Sequence, residues 1–95
     1  MTSKEIKRKP SEAGNQQTVE KYFLMLHNDE VHSFDYVIEA LMEICNHSHE
    51  QATQCTFITH HKGSCDIRKG EYEKLRRMKN ALINKELIVT IEQQP

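Results

Sequence analysis

The sequence predicts an α+β fold: a small single domain of three short antiparallel strands packed on three helices, in the order β-α-α-β-α-β, with a disordered N-terminal tail. Three observations predict it. Apolar residues form a dense run over 19–26 and shorter, β-rich groups near 65–67 and 87–91, as strands require. Between them, longer segments carry apolar residues at helical spacing. Ser48-x-x-Gln51 and Gly63 punctuate one of those segments at both ends, as helix caps do.

Residues 1–18 hold Lys, Glu, Ser, Gln, Asn, Pro and Gly, with Ile6 and Ala13 as apolar interruptions. That is too little apolar surface to offset the entropy of ordering them. The stretch reads as a flexible N-terminal extension ahead of a core domain over 19–95. Val19, Tyr22, Phe23, Leu24, Met25 and Leu26 then make a strand with little exposed face, ending at His27.

Ser33 suits a helix N-cap, with Asp35 in the first turn where it meets the positive end of the dipole. Phe34, Val37, Ile38, Leu41, Met42, Ile44 and Cys45 define one wide apolar face and carry this helix to about Asn46. The second helix runs from its Ser48 cap to Gly63, carrying Ala52, Cys55, Thr56, Phe57, Ile58 and Thr59, with His60 in its last turn. Cys65 and Ile67 alternate in a brief strand over 64–68. A third helix follows over about 70–85, with Tyr72, Leu75, Met78, Leu82 and Ile83 on one side. The strand Leu87–Ile91 comes last, and the Gln93-Gln94-Pro95 end is expected to fray.

Ninety-five residues make one domain, too small for a deep enzymatic cleft. A net charge of -1, spread over both signs, leaves no footprint for nucleic acid or an anionic membrane. No apolar stretch reaches the length of a membrane span and no signal peptide is evident, so the expected location is cytoplasmic. Three cysteines without Cys-x-x-Cys spacing fit reduced thiols, and Cys45 falls on the apolar stripe of the first helix. Six histidines invite a metal reading, but no pair has the i, i+4 spacing of helical ligands. They read mostly as solvated surface residues, with no metal and no cofactor expected.

Leu24-Met25-Leu26-His27-Asn28-Asp29-Glu30 is the informative stretch, because an apolar strand ends abruptly in small polar and acidic side chains. Asn-Asp pairs are common in turns for their Asx chemistry alone. An amide oxygen beside a carboxylate also offers acceptors from two directions, which is what an ammonium group needs from its host. The turn can therefore serve as a cation-binding rim.

Together with the helix from Phe34 to Leu41, the Glu50-Gln51-Ala52-Thr53-Gln54 segment and His60-x-Lys62-Gly63, this turn makes the chain resemble the ClpS family over about 22–92. Those proteins are small non-enzymatic adaptors that carry N-degron substrates to a Clp-type AAA+ unfoldase and its peptidase. The resemblance implies an α-amino-group clamp of Asn28, Asp29 and His60, and a pocket for the first side chain formed by His32, Phe34, Val37, Thr56, Thr59 and Leu87. It implies substrates beginning with Phe, Leu, Tyr or Trp, a partner in the unfoldase's N-terminal domain, and docking through Glu71 and Arg76. The charged outer faces favour a monomer.

His32-Ser33-Phe34 stands where the family usually has a Thr-Pro pair followed by Met, and Thr56 and Thr59 stand where apolar residues are common. A more polar pocket of different shape is expected. The alternative is a docking-only modulator of the unfoldase whose pocket is degenerate. A small hydrolase or metal-dependent enzyme using His60, Asp29 and a cysteine is a third possibility, but no Cys or Ser sits in a nucleophile motif. A neutral histidine accepts where a protonated one cannot, so ammonium binding through His60 is expected to weaken in acid.

Overall fold

The computed structural model describes residues 21–94, so the predicted extension over 1–18 and the proposed strand start at Val19 lie outside the described residues. The elements are β1 (Tyr22–His27), α1 (Phe34–Cys45), α2 (His49–Lys62), β2 (Ser64–Gly70), α3 (Tyr72–Asn84) and β3 (Ile88–Gln93). This is the predicted order. The strands form one antiparallel sheet, β2-β1-β3, with the first strand in the centre.

The central position explains why the 22–27 run has no fully exposed face. Leu24 and Leu26 point to the helices and are 0% and 2% exposed, and Cys65, Ile67 and Val89 join them from the flanking strands. Ile38, Leu41 and Cys45 of α1, Ala52 and Cys55 of α2, and Leu75 and Leu82 of α3 complete one core. Each fully buried leucine contributes about 1.5–3 kcal/mol of transfer free energy.

The two serine caps form as predicted. Ser33 Oγ accepts from Tyr36 N–H at 3.1 Å, and Ser48 Oγ accepts from Gln51 N–H at 3.1 Å. Asn46 ends α1 in the left-handed conformation at φ 62°, which Asn tolerates better than most residues. Gly63 ends α2 at φ 96°, its N–H donating to Thr59 O at 2.9 Å.

Several boundaries and exposures differ from expectation. β2 continues to Gly70, because a bulge opposite Leu24 and Met25 lets it stay paired past the mixed Asp66-Ile67-Arg68 stretch. α3 begins at Tyr72, after Glu71 as N-cap residue. β3 extends to Gln93, which pairs with Tyr22, and Gln94 N–H donates to Lys21 O at 2.7 Å, so Gln93 and Gln94 are tied to the central strand. Tyr72 and Ile83 face solvent in part, at 43% and 46% exposed. His47 is buried at 4%, against the expectation of a surface residue. Its Nε2–H donates to Ile67 O at 2.7 Å, pinning the α1–α2 corner to the β2 bulge.

Gly63 needs its positive φ, and a Cβ there would meet nothing within 4 Å. Gly63→Ala is therefore expected to cost about 1–2 kcal/mol from backbone strain alone. Gly70→Ala, where a Cβ would lie in ordinary contact 3.9 Å from Leu75 Cδ2 and no positive φ is involved, should show no comparable loss. Urea denaturation midpoints of the two variants check this, and equal midpoints would remove the conformational role of Gly63.

Candidate functional site

Where β1 ends, the ladder with β2 gains one further bond: Asn28 N–H donates to Gly63 O at 2.9 Å. That bond sets the start of the acidic turn against the end of α2, the element that carries His60. The N-terminus of α1 and the turn before β3 close the remaining sides. Between them lies a cavity of about 100 Å³ lined by Leu26, His27, Asn28, Asp29, Glu30, His32, Phe34, Val37, Thr56, Thr59, His60 and Leu87.

All nine residues expected at the clamp and pocket, Asn28, Asp29, His60, His32, Phe34, Val37, Thr56, Thr59 and Leu87, are in this lining. Leu26, His27 and Glu30 also line it; all three stand in the Leu24-to-Glu30 stretch that the sequence marks out, but none is among the expected clamp and pocket residues. Glu30 orients Asn28. The Asn28 side-chain N–H donates to Glu30 Oε2 at 3.0 Å, and because a carboxylate only accepts, the amide oxygen is left free.

Asp29 Oδ1 accepts from Val31 N–H at 2.9 Å and His32 N–H at 3.0 Å, forming an Asx turn. His32 Nδ1 lies 3.2 Å from Oδ1 and 3.3 Å from Oδ2. Burial pushes the Asp29 carboxyl up, but the two backbone N–H groups and the His32 ring together outweigh it and hold the pKa below the ordinary 3.8. Asp29 is thus ionised throughout the neutral range, with Oδ2 the less engaged oxygen.

The His60 ring meets Phe34 at 5.2 Å and His61 at 5.3 Å, both edge to face, and has no hydrogen-bond partner among the described residues. Phe57 closes this aromatic group against Phe34 at 6.4 Å and His61 at 4.3 Å. His32 stacks on Tyr36 with ring centroids 4.7 Å apart, and Tyr36 O–H donates to Lys85 O at 2.9 Å. The α1 face thereby ties the acidic turn to the segment that carries Leu87.

Over residues 17–88 the sequence matches the model of a family described as ATP-dependent Clp protease adaptor protein ClpS. The chain belongs to the ClpS family. It is similar to the structure of Agrobacterium tumefaciens ClpS2 bound to L-phenylalaninamide, with a TM-score of 0.72 and 23% identity, covering 79% of this chain and 98% of that one. At that identity the likeness shows the shared ClpS fold. No curated protein matches the chain.

The pocket side of this ClpS chain is less polar than the two threonines suggest. Thr56 Oγ1 donates to Ala52 O at 2.8 Å and Thr59 Oγ1 to Cys55 O at 2.7 Å, so both hydroxyl protons are spent inside α2. Glu71, the N-cap residue of α3, and Arg76, on α3, lie elsewhere, and neither lines the cavity. Arg76 is engaged with Glu73, donating from Nε at 3.1 Å and Nη2 at 2.9 Å.

Burial pushes the Cys45 thiol up to about 11, while burial and the neighbouring Cys55 push Cys65 to about 12, so neither supplies a thiolate nucleophile at neutral pH. Among the described residues, no group of three or more His, Cys, Asp or Glu side chains is placed to hold a metal ion. None of the described helices is long and apolar enough to cross a membrane.

Asp29→Ala removes the anchor of the turn and should destabilise the fold by about 1 kcal/mol at neutral pH. Because the folded-state pKa is depressed, this contribution is fully present above 3.8 and lost as pH falls through the lower folded value. The gap between wild type and Asp29→Ala in denaturation should therefore close in strong acid. A gap unchanged with pH would contradict the depressed pKa.

Proposed function

We propose that this ClpS chain is a non-enzymatic adaptor that binds the free α-amino group and the bulky hydrophobic first side chain of an N-degron substrate, and delivers that substrate to a Clp AAA+ unfoldase. The carrying observation is convergence. An Asn28 amide oxygen and a His60 ring with no hydrogen-bond partner among the described residues, and an ionised Asp29 carboxylate, meet at one cavity that Leu26, Phe34, Val37 and Leu87 also line. An ammonium has three donors and asks for three acceptors.

Leu26, Val37, Leu87 and Phe34 receive the first side chain, with the methyl-bearing Thr56 and Thr59 completing the wall. Burying that side chain supplies about 1.5–3 kcal/mol, and the clamp supplies orientation and rejects blocked or internal residues. An amino acid amide such as the one bound to ClpS2 has both features, a free amine and an aromatic side chain. N-terminal Phe, Leu, Tyr and Trp are the substrate class. Delivery runs through docking on the N-terminal domain of the unfoldase, with Glu71 at the N-cap of α3 and Arg76 on that helix forming part of the docking surface, away from the cavity.

Fluorescence anisotropy with a peptide beginning in free Phe tests the reading. Wild type should bind it, Asp29→Ala should weaken it at least tenfold, and His60→Ala should weaken it by several-fold, in line with losing a charge-assisted contact. Full affinity in Asp29→Ala would refute the clamp. Retained unfoldase binding without any peptide binding would instead support a docking-only modulator.

Acidification separates the clamp groups. Asp29 stays charged well below neutrality, its carboxyl pushed up by burial but held below the ordinary value by the Val31 and His32 N–H groups and the His32 ring. Protonation turns His60 from acceptor to donor and places a positive His32 ring 3.2 Å from the carboxylate meant for the ammonium. Both changes oppose binding. Affinity that does not weaken on acidification while Asp29 stays charged would remove the histidines from the clamp.

A further inference from the structure

The position where the family usually carries other residues ahead of its first helix holds a histidine whose hydrogen-bonding state the structure fixes. His32 Nδ1 faces the Asp29 carboxylate at 3.2 and 3.3 Å, and a carboxylate can only accept, so Nδ1 carries the proton. In the neutral ring the other nitrogen, Nε2, is then an acceptor. One face of the ring is covered by Tyr36 at 4.7 Å, in a nearly parallel stack of 15°. His32 lines the cavity, and Nε2 has no hydrogen-bond partner among the described residues.

Much of the remaining pocket wall cannot do the same work. Leu26, Val37, Phe34 and Leu87 are apolar; Thr56 and Thr59 donate to Ala52 O and Cys55 O and keep acceptor lone pairs on their oxygens, so the loss in a His32 variant separates the His32 contribution from theirs. A phenol O–H or indole N–H entering such a wall would be left unsatisfied unless something accepts it.

We infer that His32 reads a hydrogen-bond donor on the first side chain of the substrate, so that this chain favours N-terminal Tyr and Trp over Phe and Leu. The inference rests on the reading of the cavity as an N-degron pocket and names the preference within it. Asp29 then has two roles. It meets the ammonium, and by accepting from Nδ1 it sets the tautomer that exposes the Nε2 acceptor to the side chain.

The test compares the affinities of peptides identical except for a free N-terminal Tyr, Trp, Phe or Leu, at neutral pH, for wild type and His32→Asn. The Asn amide can still donate to Asp29 but has no acceptor at the Nε2 position. Wild type is expected to bind the Tyr peptide roughly threefold to tenfold tighter than the Phe peptide. In His32→Asn that ratio should fall to about one. His32→Gln, which places an amide near Nε2, should restore part of the ratio.

A wild-type protein that binds Tyr no tighter than Phe would overturn the inference while leaving the N-degron reading intact. So would a Tyr preference that survives in His32→Asn, or an equal loss for all four peptides, which would mark His32 as a positioning residue for Asp29. If none of the four binds wild type, the N-degron reading itself fails and the inference fails with it.

Discussion

The bond from Asn28 N–H to Gly63 O is the constraint on which the site depends. β1 is the central strand, held on both sides by ladders, so its last residue is among the most firmly placed in the chain. Extending one ladder by a single bond fixes the acidic turn against the C-terminus of α2. Gly63 makes this possible because its positive φ reverses the chain directly from α2 into β2 while keeping its carbonyl toward the central strand. Any other residue would pay conformational strain at the point where two halves of the proposed clamp meet.

Around that junction, Asn28, Asp29 and His32 are each oriented by a partner outside the proposed ligand contacts. Glu30 turns the Asn28 amide, the backbone of the turn holds one oxygen of Asp29, and Tyr36 holds the His32 ring. Orientation before binding reduces the entropy a ligand must overcome, which matters for a shallow site on a small domain. The same device lowers the pKa of Asp29, so the charge that attracts an ammonium is present at every physiological pH.

The order of elements, the caps at Ser33, Ser48 and Gly63, and the central core residues were legible in the sequence because each rests on local chemistry. Periodicity places Leu41 and Cys45 inside, and Ser-x-x-Gln and Gly mark helix ends without tertiary information. The nine residues expected at the pocket and clamp came together through resemblance rather than spacing, since four separate segments supply them: the turn after β1, α1, α2 and the turn before β3. What sequence could not reveal depends on long-range pairing. The length of β2 follows from a bulge opposite Leu24 and Met25, and the burial of His47 from a carbonyl twenty residues away. That the hydroxyl protons of Thr56 and Thr59 bond back to their own helix, leaving only acceptor capacity at the pocket, was likewise not legible.

Backbone amide NMR with a minimal ligand tests the central claim most directly. L-phenylalaninamide should shift the amides of Asn28, Asp29, His32, His60 and Leu87 in a saturable way, while its N-acetylated copy, which has the same side chain but no ammonium, should leave them unmoved. Equal shifts with both compounds, or shifts centred on α3 instead, would contradict a clamp for a free α-amino group at the end of β1.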